Sequence, residues 1–181
     1  MTTLRAANVL LRPVRGSDIP RQRDFFKDAE LAELDSSSPE AYAEIDVEEF
    51  FRRPSRSGGE TALFAIDLRG EYVGYASLMN LKNPSKAFEL GIVIGDGRYW
   101  GRGYGREAVQ LLLQYGFSDL GGREIELTTH QRNERALACF FACGFREQRR
   151  IHSATLFAGQ YVDMIEMSIA RTAWKSEGSH L

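Results

Sequence analysis

The stretch Arg98-Tyr99-Trp100-Gly101-Arg102-Gly103-Tyr104-Gly105-Arg106-Glu107-Ala108 places glycines at alternate positions just before a segment whose apolar residues recur at helical spacing. Glycine leaves the backbone N–H groups uncovered, so an anion can approach the main chain closely. The free N–H groups and the dipole at the start of the following helix favour a phosphate at the same place. Positive charge comes from Arg98, Arg102 and Arg106. The loop therefore predicts an anion site, although a turn that only lets a strand and a helix pack closely has the same pattern.

The segment from Gly103 to Ala108 also fits the relaxed dinucleotide-binding fingerprint, with alanine in the third glycine position. That motif requires a tight turn from a strand into a helix, normally at the opening of a βαβ unit. Here a longer connection separates the predicted strand ending at Ile94 from the helix that begins at about Gly103, and helices and hairpins precede it. The nicotinamide-dependent alternative is therefore disfavoured.

The composition is that of one soluble globular domain. The chain has 181 residues, of which 43% are hydrophobic and 27% charged, and its net charge of −2 provides no general attraction to nucleic acid or to an anionic membrane. No apolar run approaches the ~18 residues of a membrane span, and the N-terminus does not resemble a signal peptide, so a cytoplasmic location is predicted. Cys139 and Cys143 are interpreted as small apolar residues on one helix face, and the scattered histidines predict no metal site.

Periodicity and turn residues predict an α+β domain over residues 1–181, with a core at about 8–171 and a frayed tail at 172–181. Four helices are predicted: from about Ser17 to Lys27, from Pro39 to about Phe51, from about Gly103 to Leu120, and from Asn133 to Cys143. The segment from Arg52 to Gly59 is expected to be a flexible loop. The predicted strands are Asn8 to Val14, Thr61 to Leu68, Tyr72 to Leu81, Ala87 to Ile94, Glu124 to Thr129, Arg146 to Phe157 and Tyr161 to Ala170.

Several motifs, in order along the chain, resemble the GNAT superfamily of N-acetyltransferases. The strand from Glu89 to Asp96 and the glycine loop resemble its acetyl-CoA signature, and Asn133-Glu134-Arg135-Ala136 leading to Cys143-Gly144-Phe145 is similar to its next block. The segment from Gly159 to Asp163, with Met167, resembles the C-terminal hairpin of the ribosomal-protein and spermidine acetyltransferase branch.

This resemblance implies a mixed, mostly antiparallel sheet of seven strands, flanked by helices and splayed open at its centre between the fourth and fifth strands. The pantetheine arm of acetyl-CoA would lie in the split and pair with the backbone like an added strand, and the pyrophosphate would sit on amides of the loop. Asn133 matches a position that commonly binds the arm. The implied cofactor-binding residues are Gly91, Ile92, Val93, Ile94, Trp100, Gly101, Arg102, Gly103, Tyr104, Gly105, Arg106, Asn133 and Phe140.

The resemblance also implies a catalytic base at Glu89, at the start of the predicted central strand. An alkyl ammonium has a pKa near ~10.4, so a base must remove its proton before transfer, and partial burial of Glu89 would raise its pKa and suit it to this role. A solvated carboxylate at a strand end is the alternative. The family commonly has a tyrosine, which protonates the departing thiolate, where this chain has Phe140. Two functions therefore stay open: direct N-acetylation, or a CoA-binding sensor without turnover.

The acceptor is predicted to be a primary amine, either a small cationic amine or a protein N-terminus. An acidic field would concentrate cations, and the segment from Asp28 to Phe51 has no lysine or arginine. An ordinary solvated helix face would explain this segment equally well. The expected partners are acetyl-CoA and the amine, without nucleic acid or membrane, and a homodimer is allowed. The acidic residues are Asp28, Glu30, Glu33, Asp35, Glu40, Glu44, Asp46, Glu48 and Glu49.

Overall fold

The computed structural model describes residues 2–56 and 58–174. An eight-stranded sheet forms its centre, with the strands in the spatial order β1-β2-β3-β4-β5-β6-β8-β7. Each pair of neighbours is antiparallel except β5 and β6, which are parallel. The strands are β1 (Leu4–Arg5), β2 (Leu10–Pro13), β3 (Ala62–Leu68), β4 (Glu71–Met79), β5 (Ala87–Ile94), β6 (Glu124–His130), β7 (Arg146–Phe157) and β8 (Gln160–Ala170).

The predicted fold class is confirmed, with one strand more than the seven expected. The additional strand, β1, has two residues and pairs with β2 at the edge of the sheet, and so short a segment carries no periodic signal. The predicted split is also present: β5 and β6 pair only from Ala87 to Glu89 and from Glu124 to Glu126. Beyond these residues the two strands separate, which opens the middle of the sheet.

Helices cover both faces of the sheet. On one face, α1 to α4 pack on an aromatic cluster that includes Phe26, Tyr42 and Phe50. On the other face, α5 and α6 pack on a larger core around Phe88 and Leu112. Among the described residues, no helix is long and apolar enough to cross a membrane. The helices are α1 (Ile19–Phe26), α2 (Ala29–Leu34), α3 (Pro39–Ala43), α4 (Val47–Arg56), α5 (Tyr104–Gln114) and α6 (Glu134–Ala142).

The helical layer over the first face differs from its prediction. The helix expected from Pro39 to Phe51 is two helices, α3 and α4, because the Asp46 side chain accepts a hydrogen bond from the Glu49 amide (2.9 Å) and starts a new helix. The loop expected from Arg52 to Gly59 is wrong up to Arg56, since α4 continues to that residue. Helix α2 was not predicted. It begins where the Asp28 side chain accepts a hydrogen bond from the Leu31 amide (3.1 Å).

A buried ion network fixes this helical layer to the sheet. On β2, the Arg12 guanidinium donates through two nitrogens to Asp18, at 2.8 and 2.9 Å, and through Nε to Asp67 on β3, at 2.7 Å. All three side chains are at most 7% exposed. Because Asp18 directly precedes α1, the network sets where α1 and the following α2 lie over the sheet.

The tail expected to be frayed falls partly within the described residues. Residues 171–173 form a turn, and Trp174 packs against Phe117 with ring centroids 5.3 Å apart. Residues 175–181 lie outside the described part of the chain.

Candidate active site

A cavity of about 420 Å³ lies beside the part of β5 that no longer pairs with β6. It crosses the sheet, since its walls include α2 on one face and α6 on the other. Ten of the predicted cofactor-binding residues line it; Gly91, Arg102 and Tyr104 do not. We call it the central cavity. The ten are Ile92, Val93, Ile94, Trp100, Gly101, Gly103, Gly105, Arg106, Asn133 and Phe140.

The edge of β5 turns backbone groups into the central cavity. The Gly95 amide donates to the Val73 carbonyl on β4 (2.8 Å), so the carbonyl of Ile94 points the other way, toward the split. There it accepts a hydrogen bond from Trp100 Nε1 (2.7 Å). The alternation of a strand gives Ile92 the same orientation as Ile94. The Ile94 carbonyl is thus already bonded, whereas Ile92 presents its polar groups to the cavity.

The glycine loop adopts the conformation that its sequence requires. Gly101 and Gly103 have φ values of +70° and +86°, which glycine adopts without strain. Gly103 is the N-cap of α5, so the free amides of the first turn of this helix lie beside the cavity. A Cβ at either glycine would meet no protein atom within 4 Å. The loop therefore has both the backbone conformation and the open space that anion binding requires.

The positive charge at the loop is distributed differently from the prediction. Arg98 pairs with Asp96 (2.6 Å) and reaches Glu71 (3.4 Å), so its charge is largely neutralised by carboxylates. The hydrogen bond that Arg98 donates to the Asp96 carboxylate lowers the pKa of Asp96. Arg102 is exposed, and Arg106 lines the cavity. Of the three arginines, Arg106 is therefore the one placed to face a bound anion.

Helix α6 forms the wall opposite β5. The Asn133 side chain caps this helix by accepting a hydrogen bond from the Ala136 amide (3.3 Å), and its Nδ2 donates to the Leu34 carbonyl of α2 (3.4 Å). Phe140 is 6% exposed and packs edge-on against Phe145. Its phenyl ring has no proton to donate at this wall.

Cys139 on α6 and Cys143 at its C-cap are both thiols rather than a disulfide and pack, partly buried, against the core. Cys139 lines the central cavity. Its pKa is lowered, first by a hydrogen bond with Cys143 and also by the charge of Arg106. The described residues contain no group of histidine, cysteine and acidic side chains that could hold a metal ion.

Asp35 is a residue of the cavity wall that sequence analysis did not single out. It follows α2 directly and lines the central cavity together with Leu31 and Leu34. Although Asp35 remains accessible to solvent, burial raises the pKa of its carboxyl to about 6. The charge of Asp35 in turn contributes to raising the pKa of Tyr42 and Tyr75, after the larger effect of their own burial.

Glu89, the predicted base, lies outside the central cavity. Its neighbours Phe88 and Leu90 pack into the core beneath α5, so Glu89 points to the opposite face of the sheet. It is exposed there, contrary to the partial burial that was expected, because it lines an open concavity. Its one hydrogen bond among the described residues comes from Asn80 Nδ2, at 3.4 Å.

Glu89 belongs instead to an open concavity of about 430 Å³ on this face. We call it the acidic hollow. Burial raises the pKa of Glu126 at its centre, and the charges of the surrounding carboxylates add to this effect. The arrangement is suited to a cation, which would reduce the repulsion between carboxylates. The four carboxylates are Glu89, Glu124, Glu126 and Glu166.

Comparison with known proteins agrees with this architecture. A family model described as an acetyltransferase (GNAT) domain matches residues 8–146. The spermidine N(1)-acetyltransferase of Escherichia coli (strain K12) is 24% identical over 173 residues, which cover 95% of this chain and 91% of the relative. An uncharacterised N-acetyltransferase, p20 of Bacillus licheniformis, is 22% identical over 175 residues, which cover 94% and 97% of the two chains.

Solved structures share the fold at lower sequence identity. The crystal structure of spermidine N-acetyltransferase from Vibrio cholerae in complex with CoA and spermine has a TM-score of 0.80 and 18% identity, and the match covers 93% of this chain and 98% of that one. A GNAT acetyltransferase from Bacillus anthracis has a TM-score of 0.75 and 19% identity, covering 94% and 99%. These matches confirm the predicted arrangement of the split sheet and its flanking helices.

Proposed function

The chain belongs to the GNAT family of acetyl-CoA-dependent N-acetyltransferases, and we propose that its acceptor is a small polyamine such as spermidine. The observation that carries the proposal is the central cavity, which is lined by the glycine loop and by the Asp35 carboxylate at the end of α2. Relatives that match over nearly the whole chain are named spermidine N(1)-acetyltransferases. The acidic hollow supplies the negative field that would attract such a cation.

Acetyl-CoA would enter the split with its pantetheine arm along β5. The N–H and C=O groups of Ile92 would hydrogen-bond to the arm. The Ile94 carbonyl already accepts a hydrogen bond from Trp100, which limits how far this pairing extends along β5. The pyrophosphate would rest on the amides between Gly101 and Gly105, at the start of α5, with Arg106 beside it. This placement leaves the thioester near the point where β5 and β6 begin to separate.

Transfer requires a neutral amine that attacks the thioester carbonyl. Glu89 is the proposed base. Because it is exposed and lies outside the central cavity, it would receive the proton through water rather than by direct contact. The new N–C bond forms as the C–S bond breaks, and the electron pair leaves on the CoA sulfur. A thiol with a pKa of about 8.5 is a good leaving group, so water can protonate the thiolate where Phe140 cannot.

The second candidate function is a CoA-binding sensor without turnover, and Phe140 is the observation that favours it. General acid catalysis contributes roughly 10²- to 10⁴-fold, so its loss would slow the reaction without preventing it. We therefore favour the enzyme. A cytoplasmic location, a homodimer and the absence of nucleic-acid or membrane partners remain predictions, supported by the composition and the family resemblance.

Release of the CoA thiol, followed in the presence of spermidine, tests the proposal. We expect amine-dependent release, with Glu89→Gln lowering kcat most at pH values well below the amine's pKa. Glu44→Gln, which removes an exposed carboxylate outside both concavities, is the matched control and should behave like the wild type. CoA binding with no release above background for any amine would establish the sensor instead, and an unchanged pH–rate profile would exclude Glu89 as the base.

A further inference from the structure

Asp35 places a carboxylate in the same space as the cofactor arm. It shares the central cavity with Ile92 and Asn133, on opposite walls of the split. The other carboxylates that could receive a cation, in the acidic hollow, lie in a separate concavity. An acceptor that reaches the thioester from the face of α2 therefore meets Asp35 inside the cavity.

The Asp35 carboxylate has no partner in the described part of the chain. Within residues 2–56 and 58–174, no hydrogen bond or ion pair reaches its oxygens, whereas the buried Asp18 and Asp67 are both held by Arg12. The charge of Asp35 interacts with two ionisable side chains, Tyr42 on α3 and Tyr75 on β4. Asp28 at the start of α2 adds a further negative charge near Tyr42.

Although its side chain is exposed to solvent, Asp35 places an unpaired carboxylate in the cavity wall, where a cation can reach it. Burial raises the pKa of Asp35 to about 6, and an adjacent ammonium group would lower it again. The cations that line the same cavity are Arg106 and Arg135. Arg135 stacks on the Trp100 ring at 3.8 Å and pairs with Glu30 at 3.9 Å. Asp35 is thus an anionic site for which the described residues supply no ion-pair partner.

We infer that Asp35 binds a protonated nitrogen of the acceptor, namely the next nitrogen along the carbon chain from the one that is acetylated. Asp35 would thus make the enzyme select diamines and polyamines over monoamines. This inference rests on the proposed function. Asp35 would not pair with the reacting nitrogen itself, because a neighbouring carboxylate stabilises the ammonium form and opposes its deprotonation. Asp35 is therefore a specificity-determining residue, and the proton of the reacting nitrogen still goes to Glu89.

The first test compares 1,4-diaminobutane with 1-aminobutane, which differ by one amino group. The wild type should prefer the diamine, and Asp35→Asn should lower kcat/KM for the diamine by about 10- to 100-fold while changing the monoamine less than about twofold. Glu44→Gln removes the same charge from the same acidic segment outside the cavity and should keep the preference. Equal losses for both amines, or no loss, would overturn the inference. A wild type that acetylates neither amine would count against the proposed function instead.

The second test measures binding of spermidine to the CoA-loaded protein between pH 5 and 8. Affinity should increase as the pH rises through about 6 in the wild type and stay flat in Asp35→Asn. Tyr42 and Tyr75 do not ionise in this range, since the pKa of each is raised above its usual value. Glu126→Gln serves as the control from the acidic hollow and should retain the pH dependence. If Glu126→Gln removes it and Asp35→Asn does not, the cation binds in the hollow and the inference is wrong.

Discussion

Gly103 has two roles in the structure: it adopts a left-handed backbone conformation, and it leaves space for an anion beside the central cavity. Its replacement by alanine, compared with the same change at Gly70, separates these roles. Gly103 has a φ of +86° at the N-cap of α5 and lines the central cavity. Gly70, in the hairpin turn between β3 and β4, has nearly the same φ of +92° and lies outside the central cavity. A Cβ at either position would meet no protein atom within 4 Å. The two alanine variants therefore carry the same backbone strain in different places.

The expected effects follow from this geometry. A non-glycine residue in the left-handed region costs about 1–2 kcal/mol, so both variants should lose this much stability. For a chain of this length, each kcal/mol corresponds to a fall in Tm of about 2–4 °C. At Gly103 the methyl group also occupies space beside the amides that would bind the pyrophosphate. Loss of one hydrogen bond to a charged group costs about 1.5–3 kcal/mol, which is about 10- to 100-fold in the Kd for CoA.

Thermal unfolding gives the stability loss, and titration calorimetry with CoA gives the affinity. Both variants should unfold at lower temperature, and only Gly103→Ala should bind CoA more weakly. If Gly103→Ala loses stability but binds CoA like the wild type, the loop does not hold the pyrophosphate. If Gly70→Ala weakens CoA binding as much as Gly103→Ala, the effect is a general consequence of instability. Either result refutes the reasoning for this loop.

Other residues give three further predictions. Trp100→Phe removes the indole donor to the Ile94 carbonyl and should reduce the free energy of unfolding in urea by about 0.5–1.5 kcal/mol; an unchanged value would mean that the bond does not hold the edge of β5. Arg12→Leu leaves two buried aspartates without their cation and should cost about 3–5 kcal/mol, so a stable variant would contradict the network's role in anchoring the helical layer. Asp35→Asn should raise the Tm at pH 7.5 and leave it unchanged near pH 4. Folding raises the pKa of this carboxyl from 3.8 to about 6, so the cost of ionising it grows between these values and is complete above them. Destabilisation by Asp35→Asn at pH 7.5 would show that the carboxylate has a stabilising partner.

The parts of the fold that depend on local sequence could be predicted. The turn between β3 and β4 has positive φ at Arg69 and Gly70, as a two-residue hairpin requires, and Gly144 ends α6 with a φ of +98°. The glycine loop could also be predicted, because its conformation and its place before a helix are determined by residues that are adjacent in the sequence. The split in the sheet was predicted from family resemblance, since no local pattern states which strands separate.

The parts that depend on tertiary packing could not be predicted. Asp35 is one of many acidic residues in its segment, and only the way α2 packs over the split brings it to the cavity. Partial burial of Glu89 was expected beside the apolar Phe88 and Leu90, but these two side chains pack into the core on the opposite face of β5 and leave Glu89 exposed. Arg98 was counted toward the anion site, whereas in the structure it pairs with Asp96. This ion pair forms only once the turn between the two residues has folded, so the sequence did not indicate it.

Mass analysis of the acceptor together with thiol release shows whether the protein transfers the acetyl group. After incubation of the protein with acetyl-CoA and spermidine, we expect monoacetylated spermidine and free CoA in equal amounts, with both lowered by Gly103→Ala. The contradicting result is a protein that binds CoA with an affinity sensitive to Gly103→Ala yet forms no acetylated amine, because the central cavity would then be a binding site without transfer.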